Sequence, residues 1–373
     1  MNYLLCGITF VTALIFARIL IPKIIAIAYH YSIFDNLEKR KLHASPIPRL
    51  GGISFIFCIF FSILIAYTLQ NSLLNQNKPT EHLDLAEFNL FACAYIILYV
   101  GGVIDDLIGM RYRKKFLLQI ASTVLIAISG VYIHHLHGFL GITAISPYIG
   151  IPGTVLILIF IINAMNLIDG IDGLSAGISI IAFSMYGMLF LLLNKWYYAI
   201  LAFSANGTLF AFFYYNVFGN LKKKRKLFMG DAGSMTLGLL LGFMALQYFR
   251  FSPEDMHIPV ESAIVIAVSP ILLPIFDVLR VILYRIKTKK HLFTADRSHI
   301  HHKLMNAGMS KPVTLITLLG VCIGFCFLNF TLINFINSLF IIVIDITIWT
   351  VSNMILSYII KKRQSNQRAG LNE

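Results

Sequence analysis

The chain has 373 residues, of which 58% are hydrophobic and only 13% charged. A soluble domain carries roughly twice that charged share, so a string of soluble domains is excluded. The five cysteines, Cys6, Cys58, Cys93, Cys322 and Cys326, all lie inside apolar runs, which excludes a secreted disulfide framework. The net charge of +13 is read as topology rather than as nucleic-acid binding, because cytoplasmic loops of membrane proteins collect Lys and Arg. The same surplus also suits attraction of anionic substrates or lipids.

The apolar residues come in runs of about 18–25, the length that crosses ~30 Å of hydrocarbon. Eleven helical spans are predicted, at roughly 3–28, 50–69, 88–107, 116–133, 151–168, 174–193, 197–215, 232–249, 261–284, 313–330 and 336–360. The first is no ordinary signal peptide, since it lacks a basic start and a small-residue cleavage site. Alternate loops hold nearly all the cations: Lys39 to Lys41 with Arg49, Arg111 to Lys115, Lys222 to Lys226, Arg285 to Lys311, and a tail over 361–373. The other loops hold only Lys78, Lys195 and Arg250. The basic set is expected in the cytoplasm, with the N-terminus outside and the C-terminus inside, as an odd number of spans requires. The expectation is an all-α, polytopic integral membrane protein with one membrane-embedded domain over 1–373. Its chemistry is expected in loops at about 30–50, 105–115, 163–177, 216–238 and 285–312.

Four motifs fall on that basic side. Asp105 and Asp106 end the third span. Adjacent carboxylates at a membrane edge repel each other and are costly to desolvate, so a cation or a transferred proton is needed to relieve them. Lys115 follows and suits a phosphate as a point charge. The alternative is an Asp pair that merely ends the helix. Asn163, Asn166, Asp169 and Asp172 recur every three residues among Gly170, Gly173 and Gly177, a pattern suited to a metal, a ribose or a base edge. Gly230-Asp231-Ala-Gly233-Ser234 opens the eighth span, offering free N–H groups and a carboxylate for a metal beside a phosphate. A plain N-cap is the competing reading there. Arg297, His299, His301 and His302 lie in the longest basic loop. No fourth ligand has zinc spacing, so phosphate or nucleotide contact is the expectation. His134, His135 and His137 fall on the opposite side and are read as interfacial and non-catalytic.

These residues resemble the polyprenyl-phosphate N-acetylhexosamine-1-phosphate transferases of glycosyltransferase family 4. The match runs from about Asp35 to Gly308. It includes Asp105-Asp106 with Lys115 and Gln119, Asn163 to Gly177, Met229 to Gly238, Asp296 to Gly308 with its His-Ile-His-His core, and an N-terminal stretch with Arg40, Lys41, His43, Pro46, Pro48 and Gly51-Gly52. The resemblance implies an eleven-span fold, a requirement for Mg²⁺ or Mn²⁺, and transfer of a sugar-1-phosphate from a UDP-N-acetyl sugar to undecaprenyl phosphate, with UMP leaving. The bacterial inner membrane is the implied location, a homodimer the implied assembly, and initiation of O-antigen or another cell-surface glycan the implied role. The basic interval from Asn216 to Asp231 favours a small sugar, so UDP-GlcNAc is the expected donor, with UDP-linked FucNAc, QuiNAc or a diamino sugar as alternatives.

Within that resemblance, Asp231 is assigned as the principal metal ligand, with Asp105 and Asp106 as further candidates. The Asp pair is assigned to the acceptor phosphate, as base or orienting group. Lys115, Asn163, Asn166, Asp169, Asp172, Asn216, Arg297, His299, His301 and His302 are assigned to substrate binding, with Arg40, Lys41 and His43 as weaker candidates. Direct attack by the lipid phosphate is preferred to a covalent aspartyl route. A transporter is the rival class, but it would place polar residues near the midplane, reached from both sides.

Overall fold

In lipid, every backbone N–H and C=O must find a partner inside its own segment, so long apolar runs become helices. The computed structural model describes residues 2–34, 47–73, 85–251, 259–289 and 299–369, and among these the regular structure is entirely helical. The helices are α1 (Asn2–His30), α2 (Ile53–Leu73), α3 (Leu85–Ile108), α4 (Tyr112–Ile128), α5 (Pro147–Ile168), α6 (Leu174–Leu192), α7 (Trp196–Val217), α8 (Gly230–Phe251), α9 (Ala263–Val268), α10 (Leu272–Lys287), α11 (Ile300–Asn306), α12 (Lys311–Leu332) and α13 (Ser338–Ala369).

Each of the eleven predicted spans has its helix. Ten of them are long and apolar enough to cross a bilayer, with α9 and α10 counted together as Val260–Lys287. The remaining one, α4, is only 17 residues long. It stops five residues before the predicted boundary of 133, where Gly130 turns with φ of 97°. The ninth span is not continuous. Pro270 has no N–H to donate, so α9 passes through a tight 3-10 turn at Ser269–Ile271 into α10. Side chains satisfy the carbonyls freed there: the Tyr186 hydroxyl donates to Ala267 O at 2.6 Å and the Cys322 thiol to Pro270 O at 3.4 Å.

A helix that is apolar all round belongs in the middle of a bundle, and α8 is that helix, buried from Ala232 to Phe249. It packs on α3, α5 and α6; α4 lies between α3 and α5, α7 packs on α1, α2 and α6, and α13 lies outside against α11 and α12. Two glycine pairs let neighbours approach the start of α8 closely. A Cβ on Gly52 would collide with the backbone of Gly233, and one on Gly102 with the backbone of Ala232. The far end of α8 is tied by an ion pair between Glu87 and Arg250 at 2.9 Å. The His134, His135 and His137 rings sit at that far end, with His137 Nε2 2.8 Å from Phe249 O. They are therefore a helix length away from Asp231.

Candidate active site

The start of α8 organises the site. Gly230 takes a φ of 78°, which only glycine adopts without strain, and turns the chain so that α8 begins beside α3. The first N–H groups of a helix have no partner within it. Asp106, at the end of α3, supplies one: Oδ1 accepts the N–H of Asp231 at 2.7 Å and Oδ2 that of Ala232 at 2.9 Å. A carboxylate at this end of a helix is also favoured by the helix dipole. Asp105 faces the other way. Its Oδ1 accepts the Met110 N–H at 2.6 Å, and its Oδ2 pairs with Lys115 Nζ at 3.1 Å.

Lys115, from the first turn of α4, bridges Asp105 to Asp231, whose Oδ1 it reaches at 2.6 Å. Asn166, near the end of α5, donates to the same Oδ1 at 2.6 Å and to Ser234 Oγ at 2.8 Å. Asp231 is thus held through one oxygen, while Oδ2 accepts no hydrogen bond from the described residues and the side chain stays 30% exposed.

That carboxylate borders a polar cavity of about 400 Å³, whose walls include Arg49, Asp106, Asn166, Asp169, Gly170, Asp172, Asn216, Asp231 and Lys311. The cavity brings together four of the five sequence motifs. Asp169, just beyond α5, has its carboxyl pushed up to about 7, first by burial and then by the charges of Asp231 and Asp172. Asp172 is paired with Lys226 of the basic interval at 2.6 Å. Asn216 lines the cavity and also braces it: Oδ1 accepts the Gly173 N–H at 2.6 Å and Nδ2 donates to Leu227 O at 2.9 Å.

A second, apolar recess of about 430 Å³ adjoins Lys115, lined by Tyr112, Phe116, Leu117, Gln119 and Asn163. Asn163 belongs to this recess, not to the polar cavity. It forms a reciprocal amide pair with Gln119, donating at 2.8 Å and accepting at 3.3 Å. Tyr112, Phe116 and Leu117 are exposed on the surface of α4.

The histidine motif is hung from α10. Asp277 is completely buried; its Oδ2 lies 2.8 Å from His299 Nδ1, and its Oδ1 accepts the Ile300 N–H at 2.9 Å and an Arg280 N–H at 2.7 Å. This begins α11 and sets His301 against Gly170, where a Cβ would collide with the imidazole. His301 is 1% exposed, and neither ring nitrogen has a hydrogen-bond partner among the described residues. Burial, with His302 beside it, holds its pKa down at about 4. The His302 ring lies tilted beside that of His301, with centroids 4.2 Å apart. On the far side of α11, Lys303 donates to Asn353 Oδ1 at 3.1 Å and Ser357 Oγ at 3.0 Å of α13. Arg297, Arg40, Lys41 and His43 lie outside the described residues.

Sequence reasoning passed over Asp277 and Lys311. The signal for Asp277 was available, because an acidic residue inside an apolar span needs a partner. Lys311 carried no such signal, being one cation among many in its loop.

The acids suit a divalent cation. Among the described residues no three acidic, histidine or cysteine side chains converge as a metal cage. A free Asp231 oxygen beside a carboxyl pushed up by burial and then by its acidic neighbours fits instead the habit of Mg²⁺, which takes one or two carboxylates and completes its shell with water and phosphate.

Fold and site together define a polytopic membrane protein with a phosphate-suited polar cavity opening at one end of its helix bundle. Residues 88–249 match the profile described as glycosyl transferase family 4. The chain is 30% identical to a probable undecaprenyl-phosphate N-acetylglucosaminyl 1-phosphate transferase of Bacillus subtilis (strain 168), over 86% of this chain and 82% of that one. It is also 30% identical to an undecaprenyl-phosphate alpha-N-acetylglucosaminyl 1-phosphate transferase of Yersinia pestis, over 78% and 75%. Against a phospho-N-acetylmuramoyl-pentapeptide-transferase of Staphylococcus carnosus (strain TM300) the identity is 28%, over 87% and 97%. The chain belongs to glycosyl transferase family 4.

Proposed function

We propose that the protein transfers N-acetylglucosamine-1-phosphate from UDP-GlcNAc to undecaprenyl phosphate, releasing UMP and starting a cell-surface glycan. The observation that carries this reading is the junction at Lys115. One amine lies between a polar cavity bordered by the free Asp231 oxygen and an apolar recess open toward lipid. The cavity suits the nucleotide sugar, and the recess suits the prenyl chain of an acceptor whose phosphate reaches Lys115. The relatives bearing GlcNAc names and the basic interval with Lys226 support the sugar. The loop bias of Lys and Arg supports a cytoplasmic site in a bacterial plasma membrane.

An oxygen of the acceptor phosphate attacks the β-phosphorus of the donor. The bond from that phosphorus to the oxygen bridging it to the α-phosphate breaks, and UMP leaves with the electron pair. The acceptor is already anionic near neutral pH, so no strong base is needed. Asp106, the member of the pair that lines the cavity, orients the incoming group and fixes the start of α8. Asp105 holds Lys115 in place, and Lys115 offsets charge gathering on the transferred phosphoryl group. Asn166 fixes the orientation of Asp231. Asp231, with Asp169 nearby, would hold Mg²⁺ or Mn²⁺, which when bound supplies charge neutralisation of the diphosphate.

The test is UMP release by purified protein with undecaprenyl phosphate and Mg²⁺ across a panel of UDP-N-acetyl sugars. Release with UDP-GlcNAc alone, dependent on lipid and metal, is expected. Release only with a FucNAc, QuiNAc or diamino-sugar donor would change the sugar and keep the chemistry. No release with any donor from folded protein would reject the transferase reading.

A further inference from the structure

Of the cations near the cavity, Lys115 is engaged by Asp105 and Asp231 and Lys226 by Asp172, and Arg49, which lines the wall with Lys311, also has a partner of its own. Lys311 is different. It lines the cavity, is exposed to it, and makes no hydrogen bond or ion pair with any described residue. It is also in an unfavourable place for a lysine. It is the first residue of α12, where the helix dipole disfavours positive charge. Nothing in α12 compensates. The N-cap, Ser310, makes no side-chain cap, the first turn holds no acid, and Pro312 follows with no N–H. Leu315, one turn on, packs beside Gly173, which sets this helix end against the loop carrying Asp169 and Asp172. A local choice that opposes its own helix, on the wall of a cavity, points to a ligand that repays it. The ligand that relieves both the lone ammonium and the bare helix end is an anion.

The two walls also divide the work. Lys115 borders the apolar recess and does not line the polar cavity, whereas Lys311 lines the cavity and not the recess. The phosphate nearer the lipid chain therefore falls to Lys115, and the one farther away to the cavity wall, where Lys311, unlike Arg49, has no side-chain partner among the described residues. Resting on the transferase reading above, we propose that Lys311 binds the α-phosphate of the donor nucleotide, the phosphate that departs as UMP. The same amine then stabilises the leaving group as the bridging bond breaks and holds the product until release.

UMP itself is the probe, because it is common to every UDP-sugar and its binding needs neither the right sugar nor turnover. Its affinity is measured by calorimetry on the full chain in detergent for wild type, Lys311→Gln and Lys311→Arg. A charge-assisted hydrogen bond of ordinary strength corresponds to a loss of about ten- to a hundredfold in Lys311→Gln, with most of it restored in Lys311→Arg. The affinity of Lys311→Gln should also depend less steeply on ionic strength than that of wild type. Because the Lys311 side chain has no partner among the described residues and its charge opposes the helix dipole, Lys311→Gln should melt no lower than wild type. UMP binding by Lys311→Gln within twofold of wild type would overturn the proposal. So would a loss accompanied by a lowered melting temperature that Lys311→Arg fails to reverse. If wild type itself binds no UMP, the transferase reading fails first and this one with it.

Discussion

Replacing Asp277 by Ala should loosen α11 without unfolding the bundle. The carboxylate accepts from the Ile300 N–H at 2.9 Å and an Arg280 N–H at 2.7 Å, and lies 2.8 Å from His299 Nδ1. Arg280 is 20% exposed, so water takes over much of its contact. The His299 ring and the Ile300 N–H are buried and would be left without a partner. Each buried orphan costs about 1–3 kcal/mol, and taking the lower half of that range twice gives about 3 kcal/mol for the docking of α11. That is roughly a hundredfold in its opening equilibrium. Hydrogen exchange reads this directly: the amides of Lys303 and Ala307, which bond back to His299 and Lys303, should exchange about a hundredfold faster, while those of α8 stay unchanged. Asp277→Asn keeps one acceptor oxygen and should fall between the two. Unaltered protection in α11, or equal acceleration in α8, would refute the assignment of Asp277 as the support of the histidine motif.

Asp231→Asn should lower UMP release by at least ~10²-fold and raise the Mg²⁺ concentration needed for half-maximal rate; wild-type turnover would remove Asp231 from the metal role. Gly52→Ala and Gly102→Ala each press a methyl group into the backbone of α8 and should cost about 1–3 kcal/mol or more, read as a lower detergent melting temperature; an unchanged midpoint would refute the close-approach argument. The pKa of His301, held down at about 4 by burial and by His302, implies a pH dependence. Unfolded, its pKa is near 6.5, so the unfolded chain takes up a proton that the folded site refuses. Stability from this residue is complete above about pH 6.5 and is lost as pH falls toward 4. His301→Gln should flatten that limb in melting curves across pH, and an identical slope would reject the explanation.

The spans were legible because hydrocarbon allows one solution for an isolated run of apolar residues, and the motifs because Asp, Asn and Gly stand out against that background. Their mutual arrangement was not. The sequence shows Asp105 and Asp106 as equivalent neighbours, yet one caps α8 and the other holds Lys115. That division depends on two glycines admitting the start of α8 between α2 and α3, a long-range packing fact. Asn163 and Asn166 read alike as substrate contacts three residues apart, but three residues carry them to different recesses. The break at Ser269–Pro270 was hidden because its freed carbonyls are satisfied from α6 and α12, elements remote in sequence.

The shortness of α4 bears on how an acceptor reaches the site. Seventeen residues give about 26 Å of helix, against roughly 30 Å of hydrocarbon, and its first turn, Tyr112 to Lys115, is already polar. Hydrophobic mismatch of this sign is met by local thinning of the bilayer. If α4 crosses the bilayer, this rule predicts a headgroup layer drawn inward beside Lys115, and on the transferase reading proposed above a prenyl phosphate would reach the level of Asp231 within its own leaflet, without being lifted out of it.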